Sequence, residues 1–382
     1  MIEPVIYLDY NSTTPVDARV LEEMLPYFTR YYGNASSKTH RYGWEAAEAV
    51  EIARRKVADL LSADSSEIVF TSGSTEAINI ALHGLALNYG DRKKNIITCG
   101  TEHKAVLETL ASLSEQGFSI TQLNVSRDGT IDLQELKTHL NDTTLCVCLM
   151  MANNETGVIH PIEEIGALCH EKNVFLFTDA TQAAGKMRID VNEMHIDILC
   201  ISAHKFYGPK GTGALFIRRK NPSVKLAPWI TGGGHERGLR PGTLNVPAIV
   251  GFGKACEVST ELFWEEVSRL SSMRTRFEQL IEQQINITIN GSIRNRLPNT
   301  TNICFNGIEA ARLIRELPTL AFSTGSACTS ALPEPSHVLK SMGLTDKEIF
   351  SSVRFSIGRM TTMEEADAAV QKIISAINKL KV

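Results

Sequence analysis

The sequence lacks nearly every feature that would direct a chain into a membrane or onto a polyanion. Its 382 residues carry a formal net charge of only −4, so no broad field of one sign exists for nucleic acid or anionic lipid, and any macromolecular partner must use a local patch. No apolar run approaches the length that spans a bilayer. The start, Met1 to Asp9, has neither the basic residues nor the apolar stretch of a secretory signal. The eight cysteines are scattered without a CxxC pair, and most sit in apolar runs such as Leu145-Cys146-Val147-Cys148-Leu149. That is reduced, cytoplasmic usage. None of the ten histidines shows HExxH or HxH spacing, which argues against a catalytic metal. Internal repeats and low-complexity blocks are absent as well. What is present, 43% apolar and 21% charged residues, suits a soluble enzyme with two or so domains and a cleft between them.

From about Glu67 to Arg218, short apolar runs alternate with longer amphipathic ones, the pattern of strands and crossover helices in a mainly parallel sheet. Strands are expected at Ile68 to Phe70, Ile96 to Cys99, Leu145 to Met151, Val174 to Phe177, Ile198 to Ile201 and Ala214 to Ile217. Helices are expected at Thr75 to Leu87, Lys104 to Glu115 and Ile162 to Glu171. Unbroken apolarity in the strands argues for burial on both faces, an α/β sandwich. A helical stretch from about Val246 to Gln284 then leads into a smaller α+β domain. The boundaries expected are 16–262 for the large domain, with 1–15 and 263–382 forming the small one.

Five stretches carry chemistry. In Ser202-Ala203-His204-Lys205-Phe206-Tyr207-Gly208-Pro209, a lysine is set between small residues and a turn, where it can form a Schiff base with an aldehyde cofactor. Its rivals fit less well, since Lys210 lies in a glycine turn and Lys220 among exposed charges. Glu67 to Ala77 reads as a strand, a small-residue turn and a helix start, so its backbone N–H groups with the Ser74 and Thr75 hydroxyls form a phosphate cradle. His103 follows a strand end by a few residues, placed to stack on a pyridine ring and move protons. Asp179 ends an apolar strand; a protonated pyridine nitrogen would satisfy its charge, and the resulting pyridinium is the stronger electron sink. Gln182 is placed to bond the cofactor's phenolate oxygen, and Asn154 that oxygen or a substrate carboxylate. Finally, Phe322 to Ser336 is a loop of small residues ended by two prolines, and Cys328 within it has no bulky apolar neighbours. An accessible thiol there suits nucleophilic sulfur chemistry. Together these parts indicate a pyridoxal-phosphate enzyme.

The same stretches resemble the cysteine desulfurases, pyridoxal-phosphate enzymes of the class V aminotransferase fold, over nearly the whole chain. The matching segments are Asp9-Tyr10-Asn11-Ser12-Thr13-Thr14-Pro15, Thr71 to Glu76, Thr101 to Val106, Asp179-Ala180-Thr181-Gln182, His204 to Gly211, Gly232 to Gly238 and Gly325-Ser326-Ala327-Cys328-Thr329-Ser330. The last is the most specific and looks like the long-loop branch that serves iron–sulfur assembly. The resemblance implies fold type I, with the loop 320–335 on the small domain. It implies Lys205 as the site of covalent attachment of pyridoxal 5'-phosphate, Asp179 on the pyridine nitrogen, and His103 stacked on the ring. Ser74, Thr75, Ser202 and His204 would hold the phosphate. Thr243 would reach the phosphate of a neighbouring subunit, implying a homodimer. Arg354 would clamp the carboxylate of L-cysteine. Sulfur would pass to Cys328 as a persulfide, leaving L-alanine, and then to an acceptor protein, an iron–sulfur scaffold or a relay for tRNA or DNA thiolation, without direct binding of nucleic acid. Selenocysteine lysis, or another carbon–sulfur lyase reaction on the same scaffold, is the alternative. The chain departs from the family in ending at Val382, short of the tail with which iron–sulfur members dock their scaffold, and in Thr324, where serine is common.

Overall fold

The computed structural model describes residues 4–324 and 335–381. After a short β1 (Ile6–Tyr7), seven strands form the main sheet: β2 (Ile68–Thr71), β3 (Asn95–Cys99), β4 (Ser119–Leu123), β5 (Thr144–Cys148), β6 (Phe175–Asp179), β7 (Ile198–Ser202) and β8 (Gly213–Ile217). Their order is β2-β8-β7-β6-β5-β3-β4. All neighbours are parallel except around β8, which runs antiparallel to both β2 and β7.

Both faces of this sheet are covered, and the side-chain alternation shows how. Along β7, Ile198 and Cys200 enter one apolar cluster with the helices Ser74–Tyr89 and Lys104–Glu115. Leu199 and Ile201 enter another, with the helices Arg41–Leu61, Ile162–Glu171 and Val246–Glu261. The helix Arg41–Leu61 earns that place by its spacing: Ala46, Ala49, Val50, Ala53, Val57 and Leu61 line one face and are buried. A third cluster gathers Ile6 and Leu8 with β10 (Thr300–Phe305), β12 (Ser352–Ser356) and the helices Phe263–Glu282 and Met363–Leu380. There β12, β10 and β9 (Ile287–Ile289) make an antiparallel sheet, and β1 pairs in parallel with β11 (Leu320–Ala321). The rings of Phe277, Phe305 and Phe322 all meet Phe355, with Phe277 centred 5.2 Å from it. Burying Phe277, Phe305 and Phe355 contributes about 1.5–3 kcal/mol each.

Three details differ from the sequence reading. The run Leu145 to Met151 leaves the sheet after Cys148, although Leu149 and Met151 N–H still reach the carbonyls of Phe177 and Asp179. The stretch from Val246 to Gln284 is two helices meeting at Leu262. And β4 is an additional strand at the sheet edge, half-exposed and mostly polar, so no apolar run marks it. Among the described residues, no helix is long and apolar enough to cross a membrane.

Candidate active site

The carboxyl ends of β6 and β7 open on a cleft of about 890 Å3, the position at which open α/β sheets bind ligands. One wall is the turn from β2 into the helix Ser74–Tyr89. Gly73 there has φ 154, and a Cβ on Gly213 of β8 would stand 2.8 Å from the Gly73 Cα, so the two backbones pass closely only as glycines. Glu76 accepts the Ser72 N–H and closes the turn. The first N–H groups of the helix, which have no intrahelical acceptor, therefore border the cleft beside the Ser74 and Thr75 hydroxyls. Ser74 shares a hydrogen bond with Thr181, and Ser202 lines the same cleft. His204 also lines it; its Nδ1 meets Thr13 Oγ1 at 3.1 Å, and burial, aided by Lys205, pulls the ring down to about 4. Near neutrality the ring is an uncharged hydrogen-bonding group.

Lys205 closes the short helical turn that follows β7. Its Nζ donates to the carbonyls of Asn11 at 2.8 Å and Ser12 at 2.7 Å. Burial, reinforced by the Arg354 charge and opposed by Asp179 and Asp9, brings its ammonium down to about 8. One strand away, Asp179 is 6% exposed, and its Oδ1 accepts the Thr181 N–H at 2.9 Å and the Cys200 thiol at 3.5 Å. His103 caps the helix Lys104–Glu115 through Nδ1, which accepts the Ala105 N–H at 3.1 Å, so its proton resides on Nε2. Desolvation by the cleft walls holds that imidazole below its usual range; Asp179 opposes the shift, while Lys205 and His337 add to it. Gln182 is buried and its Nε2 donates to the Asn11 carbonyl at 2.9 Å.

Arg354 reaches the cleft from β12. Its Nη1 donates to the Asn154 carbonyl at 2.9 Å, and its Nη2 to Asp9 Oδ1 at 2.6 Å and Ser12 Oγ at 2.9 Å. Among the described residues its Nε is buried with no hydrogen-bond partner. A guanidinium so braced at the edge of the cleft suits a carboxylate. Asn154 lines the cleft, and the contact it makes to Arg354 runs through its backbone carbonyl. The donor set as a whole suits a phosphorylated aldehyde that carries a basic ring nitrogen, together with an amino acid.

Thr243 is exposed and stands apart from the lining of this cleft. Cys328 lies outside the described residues. Several lining residues carried no role in the sequence reading. Lys210 also borders the cleft. His337 Nε2 meets the Glu102 carbonyl at 2.9 Å, and Ser336 donates to buried Glu155, whose carboxyl burial pushes up. Lys186 donates to Gln182 Oε1 at 3.0 Å. The Asn11 and Ser12 carbonyls had no side-chain signature by which to be found, and Lys186, just past the left-handed Gly185, had no periodic signal either.

A cleft at the strand ends of an α/β sheet, lined by Lys205 with Asp179 one strand away, is the arrangement of the aminotransferase-like class of enzymes. The family description "Aminotransferase class-V" matches residues 6–369, and the chain belongs to that family. Within it, the chain is 48% identical to "Cysteine desulfurase IscS" of Anaeromyxobacter sp. (strain Fw109-5) over 377 residues, 98% of this chain and 93% of the relative. A solved "NIFS-LIKE PROTEIN" superposes with a TM-score of 0.91 at 37% identity, covering 98% of this chain and 99% of that one. A second, "SspA in complex with cysteine", gives 0.81 at 37% identity, covering 92% and 98%.

Proposed function

We propose that the protein is a pyridoxal 5'-phosphate-dependent cysteine desulfurase that converts L-cysteine to L-alanine and carries the sulfur on Cys328 as a persulfide. The observation that carries this reading is the meeting of Lys205, Asp179, His103 and Arg354 around one cleft, in a chain 48% identical to a named desulfurase. The helix start at Ser74, with Thr75, Ser202 and His204, would hold the phosphate, and Asp179 the ring nitrogen. When bound, the cofactor supplies an aldehyde for covalent attachment and a sink for charge developed at the substrate Cα.

The chain's own residues supply the rest. Lys205, with its basicity held down, is the attachment amine and, once free, a base for the Cα proton near neutral pH. Arg354 receives the substrate carboxylate and so fixes which Cα–H bond faces Lys205. His103, protonated on Nε2, delivers a proton where charge accumulates. The Cys328 thiolate attacks the substrate sulfur: the S–S bond forms as Cβ–S breaks, the electron pair of that bond passes to the carbon side, and protonation completes alanine. Delivery onward, to an iron–sulfur scaffold or a thiolation relay, rests on the sequence of the Cys328 segment. A homodimer is part of the proposal, supported by Thr243 standing outside its own chain's cleft. So is a two-lobed division at 262/263, supported by the separate apolar cluster holding Ile6, Leu8 and Phe277. The seven described cysteines are free and buried, in keeping with a reducing cytoplasm.

The test incubates the holoenzyme with L-cysteine, measures alanine and sulfide, and maps Cys328 by mass spectrometry, with borohydride trapping of the bound cofactor. Alanine, one added sulfur on Cys328 and a reduced adduct on Lys205 are expected. An adduct on another residue refutes the site assignment. Turnover of selenocysteine with none of cysteine moves the activity to selenocysteine lysis.

A further inference from the structure

We propose that Lys186 is a positioning residue for the cofactor's ring oxygen: it locks the Gln182 side-chain amide so that an N–H, and never the carbonyl, faces that oxygen. The inference rests on the reading of the cleft as a pyridoxal-phosphate site. Residues 181–186 form a succession of turns after β6, with the Ala184 N–H on the Ala180 carbonyl and the Met187 N–H on the Ala183 carbonyl. Gly185, at φ 73, turns the chain inward, and a side chain there would press on Phe206 at 3.0 Å. Lys186 thereby lies one turn beyond Gln182, and its ammonium is directed inward.

An ammonium has donors only. It sits 3.0 Å from Gln182 Oε1, while Gln182 Nε2 sits 2.9 Å from the Asn11 carbonyl. A flipped amide would set N–H against ammonium and carbonyl against carbonyl, so one orientation alone is favourable. The Asn11 carbonyl consumes one hydrogen of Nε2 and also receives Lys205 at 2.8 Å. The second Nε2 hydrogen remains for the cleft that Gln182 lines. Burial and the charges of Lys205 and Arg354 bring Lys186 down to about 7. An ammonium enclosed at that cost is consistent with an orienting duty.

The test is the pH titration of the holoenzyme's visible absorbance, with the melting temperature of each variant as the folding control. Lys186→Met keeps the stem and removes the donor. A hydrogen bond to a charged oxygen is worth about 1.5–3 kcal/mol, so its loss should raise the titration midpoint by about one to two pH units. In a Gln182→Ala background only the contribution of the Lys186 charge is left, so the same substitution should shift the midpoint by much less than in the parent. Equal shifts in both backgrounds would mean that Lys186 acts by charge alone, and no shift in the parent would mean that it orients nothing; either overturns the proposal. Should Lys186→Met fail to fold, Gln182→Glu, which keeps the partner of Lys186 but offers the ring oxygen no N–H, must raise the midpoint, and an unchanged midpoint overturns the proposal equally. Failure of the underlying reading looks different: the parent protein would show no visible band and no borohydride adduct on Lys205.

Discussion

Replacing His160 with leucine is expected to stabilise the protein, and to do so increasingly as the pH falls. His160 is 2% exposed, its backbone N–H reaches the Met151 carbonyl, and among the described residues neither ring nitrogen has a hydrogen-bond partner. Two buried, unpaired nitrogens cost about 1–3 kcal/mol at any pH. Burial also pulls the ring from 6.5 to about 4. With a native value below the unfolded one, the unfolded chain binds the proton first, so stability is intact above pH 6.5 and drains away as the pH falls toward 4. By pH 5 the loss is about 2 kcal/mol. Unfolding entropy of about 2.1 cal/mol/K per residue gives about 0.8 kcal/mol/K for a chain of 382 residues. His160→Leu should therefore melt about 1–4 °C above the parent at pH 7, and the gap should widen by about 2–3 °C at pH 5. Parallel melting curves of the two holoenzymes from pH 7.5 to 5 provide the measurement. A gap that stays constant across that range would refute the argument, because it would mean that the native ring takes up its proton as readily as the unfolded one.

Arg354→Lys keeps the charge and loses the fork, so KM for cysteine should rise roughly 30- to 100-fold, about 2–3 kcal/mol, while the cofactor band is retained; an unchanged KM in steady-state assays would exclude the carboxylate role. Cys328→Ala should bind cofactor with normal absorbance and yield no alanine from cysteine, and full activity would remove the nucleophile assignment. Glu236 pairs with Arg54 at 2.7 and 2.8 Å and accepts the Phe70 N–H at 2.7 Å, all buried. Glu236→Ala removes the buried bidentate partner of that guanidinium, leaving it Glu51 and the Ile68 carbonyl, and takes the acceptor from the Phe70 N–H, so it should lower the melting temperature by about 4–6 °C, from about 3–5 kcal/mol.

The sheet was legible because its strands are buried on both faces and so read as unbroken apolar runs, as in Ile198-Leu199-Cys200-Ile201. The site was legible for a related reason: Asp179, Ser202 and Lys205 stand just where those runs stop. Hidden from sequence were the parts whose signal is not apolar. β4 alternates polar residues at an edge, the Asn11 and Ser12 carbonyls act through backbone, and Glu155 and Lys186 resemble surface charges until the fold encloses them.

The segment that begins at β1 has a mechanical consequence. Ile6 and Leu8 are embedded in the smaller apolar core, whereas Asn11, a few residues on, carries the carbonyl on which Lys205 and Gln182 both rest. Asn11 is also tied by its N–H to Ser356 and by its amide to Thr300. This stretch thus links that apolar cluster to the cleft, so a shift of the cluster would be carried along a few peptide units to the acceptors of Lys205. The proton affinity of Lys205 is in that sense set partly by residues 9–12, through the Asn11 and Ser12 carbonyls and the Asp9 charge.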